Sequence, residues 1–205
     1  MSHHVIVWAG HERTGMEIAH VRFEDGRLSA HGTQIGVAPD LYQLDYRLET
    51  DEQLRTKRLQ AEVTGNGWTR RIDLRRDELS RWDCTAAAVG HPDLPPPGGD
   101  MPALDGAEDC DLGFSPLTNL MPVRRAGLLD GPGRQDFLMA WVAVPALQVI
   151  PARQTYEHIR RDEDGVNVRY VGRHRGYTGE LRFDHLGFIE LYPGLGQRLR
   201  TEETS

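Results

Sequence analysis

Cysteine is nearly absent. Cys84 and Cys110 are the only two in 205 residues, too few for a disulfide framework. The N-terminal stretch MSHHVIVWAGHERTG has no basic leader and no long apolar core, so it does not read as a secretory signal. Both cysteines are therefore expected as thiols. No run approaches the roughly 20 apolar residues that a membrane span needs. Together these absences point to the cytoplasm. Lysine is scarcer still: Lys57 is the one lysine among 24 basic residues. The formal net charge of -7 argues against a general nucleic-acid binder, which needs a basic surface to neutralise phosphates. The chain also lacks a G-x-S-x-G nucleophile elbow. Gly127–Gly133 has neither the lysine nor the strand-to-helix setting of a phosphate loop. Nine histidines are scattered without the spacing of a zinc site, so no metal and no cofactor are expected.

Helical periodicity is scarce too, and what is present is alternation. Glu17–Phe23 places Ala19, Val21 and Phe23 on one side. Asp25-Gly26 reads as a hairpin turn, because Asp-Gly supplies the positive φ such turns require. Arg27–Gly36 follows as the partner strand, and His20 and His31 can pair across this hairpin. Leu41–Glu49 is the clearest strand, with Tyr42, Leu44, Tyr46 and Leu48 facing one way. Further strands are read at Phe137–Val144, Ala146–Ile150, Arg153–Arg160, Val166–Arg173, Tyr177–Asp184 and Phe188–Tyr192. Pro145 and Pro151 mark strand ends, edges or bulges. The count is ten or eleven strands with no βαβ pattern. This predicts a mainly β fold: a long, largely antiparallel sheet that must curl, close or split into two layers, with a few short helices. A single domain spans 1–205, with a Pro- and Gly-rich loop at about 86–106. The polar tail 200–205 is expected to fray.

Residues 109–125, DCDLGFSPLTNLMPVRR, concentrate polar and backbone-restricting chemistry. Ser115, Thr118 and Asn119 can each bond nearby backbone groups, and Pro116 and Pro122 fix φ. Ser115-Pro116 is the expected helix start, with Pro122 limiting that helix to a turn or two. Asp109 and Asp111, two apart, point the same way on an extended backbone. Of Arg124 and Arg125, at most one joins them. The plainer reading is a structural ion pair that holds a loop against the sheet. The functional reading is a polar anchor for a ligand head group.

The same residues carry a resemblance. Asp109-Cys110-Asp111-Leu112, Pro116-Leu117-Thr118-Asn119 and Pro122-Val123-Arg124-Arg125 resemble the D-x-D-L, P-L-T-N, L-P-I-R-R signature of the bacterial putative glycolipid-binding family. Ala30–Gly36, the run from Trp141 to Tyr156 through Pro145, Leu147, Val149, Pro151 and Gln154, then Gly176–Thr178 and Tyr192–Leu195 match in order, over nearly the whole chain. The resemblance implies a fold like that of bacterial lipoprotein carriers, a long curved antiparallel sheet forming a half barrel around an apolar cavity with a few short helices, and a lipid or glycolipid-like partner. Two features depart from the pattern. The 86–106 stretch is longer, and the carriers are exported whereas this chain shows no signal, so the carrier role does not transfer with the fold.

On this reading Arg124 holds the head group, and Asp111, Asn119 and Gln154 add hydrogen bonds. Tyr46, Trp141, Tyr156 and Tyr170 line the wall. Asp109 orients Arg124 or caps the loop, with Ser115 and Thr118 as structural support. For each aromatic, ordinary core packing is the competing reading. Two rival functions remain. One is a glycoside or phosphoester hydrolase using Asp109 and Asp111, although two strand neighbours on one side of a ligand fit that chemistry poorly. The other is an interaction scaffold whose cavity its own side chains plug.

Overall fold

The computed structural model describes residues 1–38, 40–90 and 93–200. His91 and the tail from 201 onward lie outside the described residues. Alternation produces the first seven strands: β1 (Ser2–Gly10), β2 (Gly15–Glu24), β3 (Arg27–Gly36), β4 (Tyr42–Thr50), β5 (Thr56–Gly65), β6 (Trp68–Arg76) and β7 (Trp82–Val89). Each pairs antiparallel with the next. The β2–β3 turn is the expected one, with positive φ at both Asp25 (50°) and Gly26 (79°).

A 3₁₀ turn at Met101–Leu104 leads into β8 (Asp109–Leu112). A second, Leu117–Asn119, runs straight into α1 (Leu120–Arg125). Pro122 sits in the first turn of α1, where a backbone N–H has no intrahelical acceptor to lose. The chain then returns as β9 (Arg134–Ala143), β10 (Gln148–Asp162), β11 (Gly165–Gly172), β12 (Tyr177–Phe183), β13 (Ile189–Tyr192) and β14 (Gly196–Leu199). The strand order is β7-β6-β5-β4-β3-β2-β1-β14-β13-β12-β11-β10-β9-β8, one open curved sheet of 14 strands. Among the strand pairs of the described residues only β8–β9 is parallel, and an isolated parallel bridge joins Gly98 to Gln148.

The strand count exceeds the expectation at weakly patterned places. Residues 86–89, read as the start of a loop, continue edge strand β7, whose Ala-rich sequence carries no alternation. β8 and β14 are four residues each, too short to show a period. β10 is one strand where two were expected. It passes through Pro151 in a stretch that pairs with β9 alone, since pairing to β11 starts at Gln154. That is the edge-like setting proline tolerates.

The inner face is apolar, and the protein's own side chains occupy it. Trp8, Leu44, Leu48, Leu59, Leu74 and Phe188 are buried in one cluster under the first half of the sheet, together with Leu112 and Leu120 from the 109–125 segment. Tyr156, Tyr170, Phe183 and Tyr192 lie in a second cluster, joined by Val123 and Leu128. Residues 107–110 cross from one half to the other. The Trp82 indole N–H donates to the Ala107 carbonyl at 3.0 Å, and the Thr56 N–H donates to Glu108 O at 3.0 Å. The Cys110 N–H donates to Thr56 Oγ1 at 2.9 Å. Cys84 and Cys110 are both free thiols.

Candidate functional site

The polar segment 109–125 lands on the inner face, where Asp111, Ser115, Thr118 and Asn119 join one connected network. Parallel pairing to β9 sets Asp111 beside Trp141 and Asp109 beside Met139. Asp111 Oδ2 accepts from Gln154 Nε2 at 2.5 Å, and its Oδ1 from Thr118 Oγ1 at 3.0 Å. Burial pushes the Asp111 carboxyl above its ordinary range, while these bonds and the nearby Arg175 charge pull it back. The Tyr156 hydroxyl lies 2.8 Å from Asn119 Oδ1 and 3.1 Å from Gln154 Oε1, so its single proton serves one of them at a time. The Asn119 amide donates to the Pro116 carbonyl at 3.3 Å. Gln154 and Tyr156 do share a strand face, and both are buried.

Ser115 carries the network to the other half of the sheet. It does not cap the helix; Pro116 occupies the cap position, without a side-chain bond. Instead Ser115 Oγ donates to Glu17 Oε1 at 2.7 Å, and the Tyr46 hydroxyl donates to the same oxygen at 2.6 Å. Glu17 is the central residue that sequence reasoning missed. The signal was present: Glu17 is in phase with Ala19, Val21 and Phe23, a carboxylate on the buried side of its strand. Burial raises its pKa from 4.5 to about 7, against the Tyr46 and Ser115 hydrogen bonds and the Arg13 charge. Its second oxygen, Oε2, has no partner, nor has Oε1 of Gln34 opposite it on β3.

Arg125, not Arg124, meets Asp109. Its NH1 donates to Asp109 Oδ1 at 2.9 Å, and its NH2 donates to Oδ2. Asp109 is fully buried, so this is the loop-holding ion pair of the plainer reading. Arg124 instead lies over the Phe23 ring, 4.6 Å from its centroid, with its stem against Gly187. The cation beside Asp111 is Arg175, whose guanidinium is 5.6 Å from the Trp141 ring. Tyr170 packs 5.0 Å from Tyr156 and 5.8 Å from Tyr192, extending an aromatic wall behind the network.

Two small recesses open on this network. Asp111, Ser115, Asn119, Trp141, Arg175 and Tyr192 line one of about 10 Å³. Arg13, Glu17, Gln34 and Pro116 line another of about 10 Å³, each roughly one water in size. Phe114 and Leu195 line both. Phe114 sits at φ 64°, an uncommon backbone state for a bulky residue, and Arg13 covers its ring at 4.0 Å.

Comparison with known proteins places this architecture. Residues 5–198 match the family model described as putative glycolipid-binding. The chain belongs to that family. The glycolipid-binding family fold is also seen in a crystal structure of a DUF1089 family protein from Pseudomonas aeruginosa. That protein is 29% identical, and the likeness covers 89% of this chain and 92% of that one at a TM-score of 0.67. No curated protein matches the chain. No helix among the described residues is long and apolar enough to cross a membrane.

Proposed function

We propose that this family member binds a glycolipid-like amphiphile without transforming it, taking the head group at the recess between Asp111, Trp141 and Arg175. The carrying observation is the company Asp111 keeps. A half-buried carboxylate, the Asn119 amide, an indole face and a guanidinium converge on one opening, behind which lies a wall of tyrosines. Carboxylate and amide suit sugar hydroxyls, the indole suits a sugar face, and the guanidinium suits an anionic substituent. Arg175 takes the place that the sequence alone suggests for Arg124. Each recess holds about one water, so an acyl chain requires the walls to part.

The hydrolase reading is weakened by Asp109, whose carboxylate is committed to Arg125 in the buried interior. The filled inner face favours the scaffold as the second reading. Native mass spectrometry of the purified protein, followed by organic extraction, separates them. A stoichiometric amphiphile, depleted at least about tenfold in Trp141→Ala and Arg175→Ala, is expected. An empty protein that takes up no fluorescent lipid sinks the binding reading in favour of the scaffold. Turnover of a glycoside or phosphoester, lost in Asp111→Asn, would restore the enzyme.

A further inference from the structure

The second recess carries an incomplete hydrogen-bond pattern. Glu17 of β2 and Gln34 of β3 stand opposite each other in register, and both line it. Each is only 2% exposed. Yet Oε2 of Glu17 and Oε1 of Gln34 have no hydrogen-bond partner among the described residues. Buried polar atoms are costly in that state, so the pair calls for a group that completes it.

The bonds already made fix which groups face the recess. Glu17 Oε1 accepts twice, from the Tyr46 hydroxyl at 2.6 Å and the Ser115 hydroxyl at 2.7 Å. The proton of the neutral acid therefore sits on Oε2 and makes that oxygen a donor. Gln34 Nε2 donates to the Gly113 carbonyl at 3.4 Å, which leaves Gln34 Oε1 as an acceptor. One O–H donor thus stands beside one carbonyl acceptor. A hydroxyl is their complement, since it accepts from Glu17 and donates to Gln34. It also has the size of a recess of about 10 Å³. A phosphate oxygen would oppose the Gln34 oxygen, lone pair to lone pair. An ammonium would need Glu17 ionised and would share the recess with the Arg13 charge.

We infer that the Glu17–Gln34 recess takes a sugar hydroxyl of the same head group that meets Asp111 and Trp141, so that the ligand is uncharged at this end. Phe114 and Leu195 line both recesses, so a head group seated in one reaches the other once the Phe114 ring gives way. The inference rests on the amphiphile reading proposed above and narrows it. The charged and titratable groups facing Glu17 are Arg13, from the loop between β1 and β2, and Tyr46 of β4. Burial holds the Tyr46 hydroxyl well above its ordinary range, so it stays neutral. Trp8 of β1, Gln34 and Ser115 do not titrate. Hydroxyl binding should therefore weaken as pH rises through about 7, where Glu17 loses its proton.

Calorimetric titration of the full chain with dodecyl maltoside, kept below its micelle concentration, tests this. Gln34→Met should weaken binding at least about tenfold with an unchanged far-UV spectrum. Wild-type affinity should fall about tenfold from about pH 6 to about pH 8. Glu17→Gln, whose amide keeps a donor in that place, should remove the fall. Undiminished binding in Gln34→Met overturns the inference and leaves the recess to a bound water only. The same fall in Glu17→Gln as in the wild type overturns it too. So does tighter binding of dodecylammonium than of the maltoside, strengthening with pH, which would make this an amine site. In each of these cases a loss in Trp141→Ala leaves the amphiphile reading standing. A chain that binds neither probe sinks that reading and this inference together.

Discussion

Burial holds the Glu17 proton in the folded state up to about pH 7, whereas an ordinary glutamate releases it near 4.5. The folded state therefore binds more protons across that interval. The stability this contributes is fully present below 4.5 and is lost as pH rises through about 7. Glu17→Gln removes the titration but keeps an acceptor for Tyr46 and Ser115. The wild type should thus lose on the order of 2–3 kcal/mol relative to Glu17→Gln between about pH 5 and about pH 8, read from urea midpoints. An unchanged difference would mean that Glu17 ionises in water rather than in the core. Legibility at this scale was mixed. Asp111, Asn119, Gln154, Tyr156, Ser115, Thr118 and Tyr46 do fall in one network, because the local stiffness of 115–122 keeps its side chains together. The phase of Glu17 was legible but its role was not, because its partners Ser115 and Tyr46 are 98 and 29 residues away. Arg124 and Arg125 look equivalent in sequence, and only the helical turn decides which one meets Asp109.

Among the elements, β8 does the most with the fewest residues. Four residues long, it extends the sheet through β9 and also touches β5 across the interior. The contact depends on Thr56, whose hydroxyl oxygen is the acceptor for a fully buried Cys110 N–H. Thr56→Val preserves shape but leaves that donor unpaired. It should cost about 1–3 kcal/mol in urea denaturation, while Thr56→Ser should restore most of it. A Val variant as stable as the wild type would mean that water or another acceptor reaches Cys110. The long alternating strands, β3 above all, were legible because one face is buried and the other wet. β7, β8 and β14 were not, since an alanine-rich edge and two four-residue strands offer no period to read.

For the whole molecule, the two core clusters raise the question of one unfolding unit or two. Trp8, Trp68 and Trp82 report on the first, which also holds Tyr42 and Tyr46, while Tyr156, Tyr170 and Tyr192 report on the second. The 107–125 segment contributes side chains to both clusters and is hydrogen-bonded to both halves. Tryptophan fluorescence and near-ultraviolet tyrosine dichroism should therefore give coincident urea transitions. Two separated transitions would show that the crossing segment does not couple the halves. The curved antiparallel sheet followed from alternation and strand number; its centre did not, because no local pattern says that β1 pairs with β14.

That pairing makes the sheet resemble an open book. Seven strands lie on each side, and the spine between β1 and β14 is only four residue pairs long, Val7 with Leu199 to Gly10 with Gly196. The opposite margin is fastened by a clasp, made of the bonds of Trp82 and Thr56 with residues 107–110, the Arg70 bond to the Ala146 carbonyl and the Gly98 bridge to Leu147 and Val149. Parting the covers would break the clasp, the Ser115–Glu17 bond and the core that both halves share, while every ladder within each half stays intact. A guest larger than a water would then come in between the covers, and the tyrosine wall would be the page it meets.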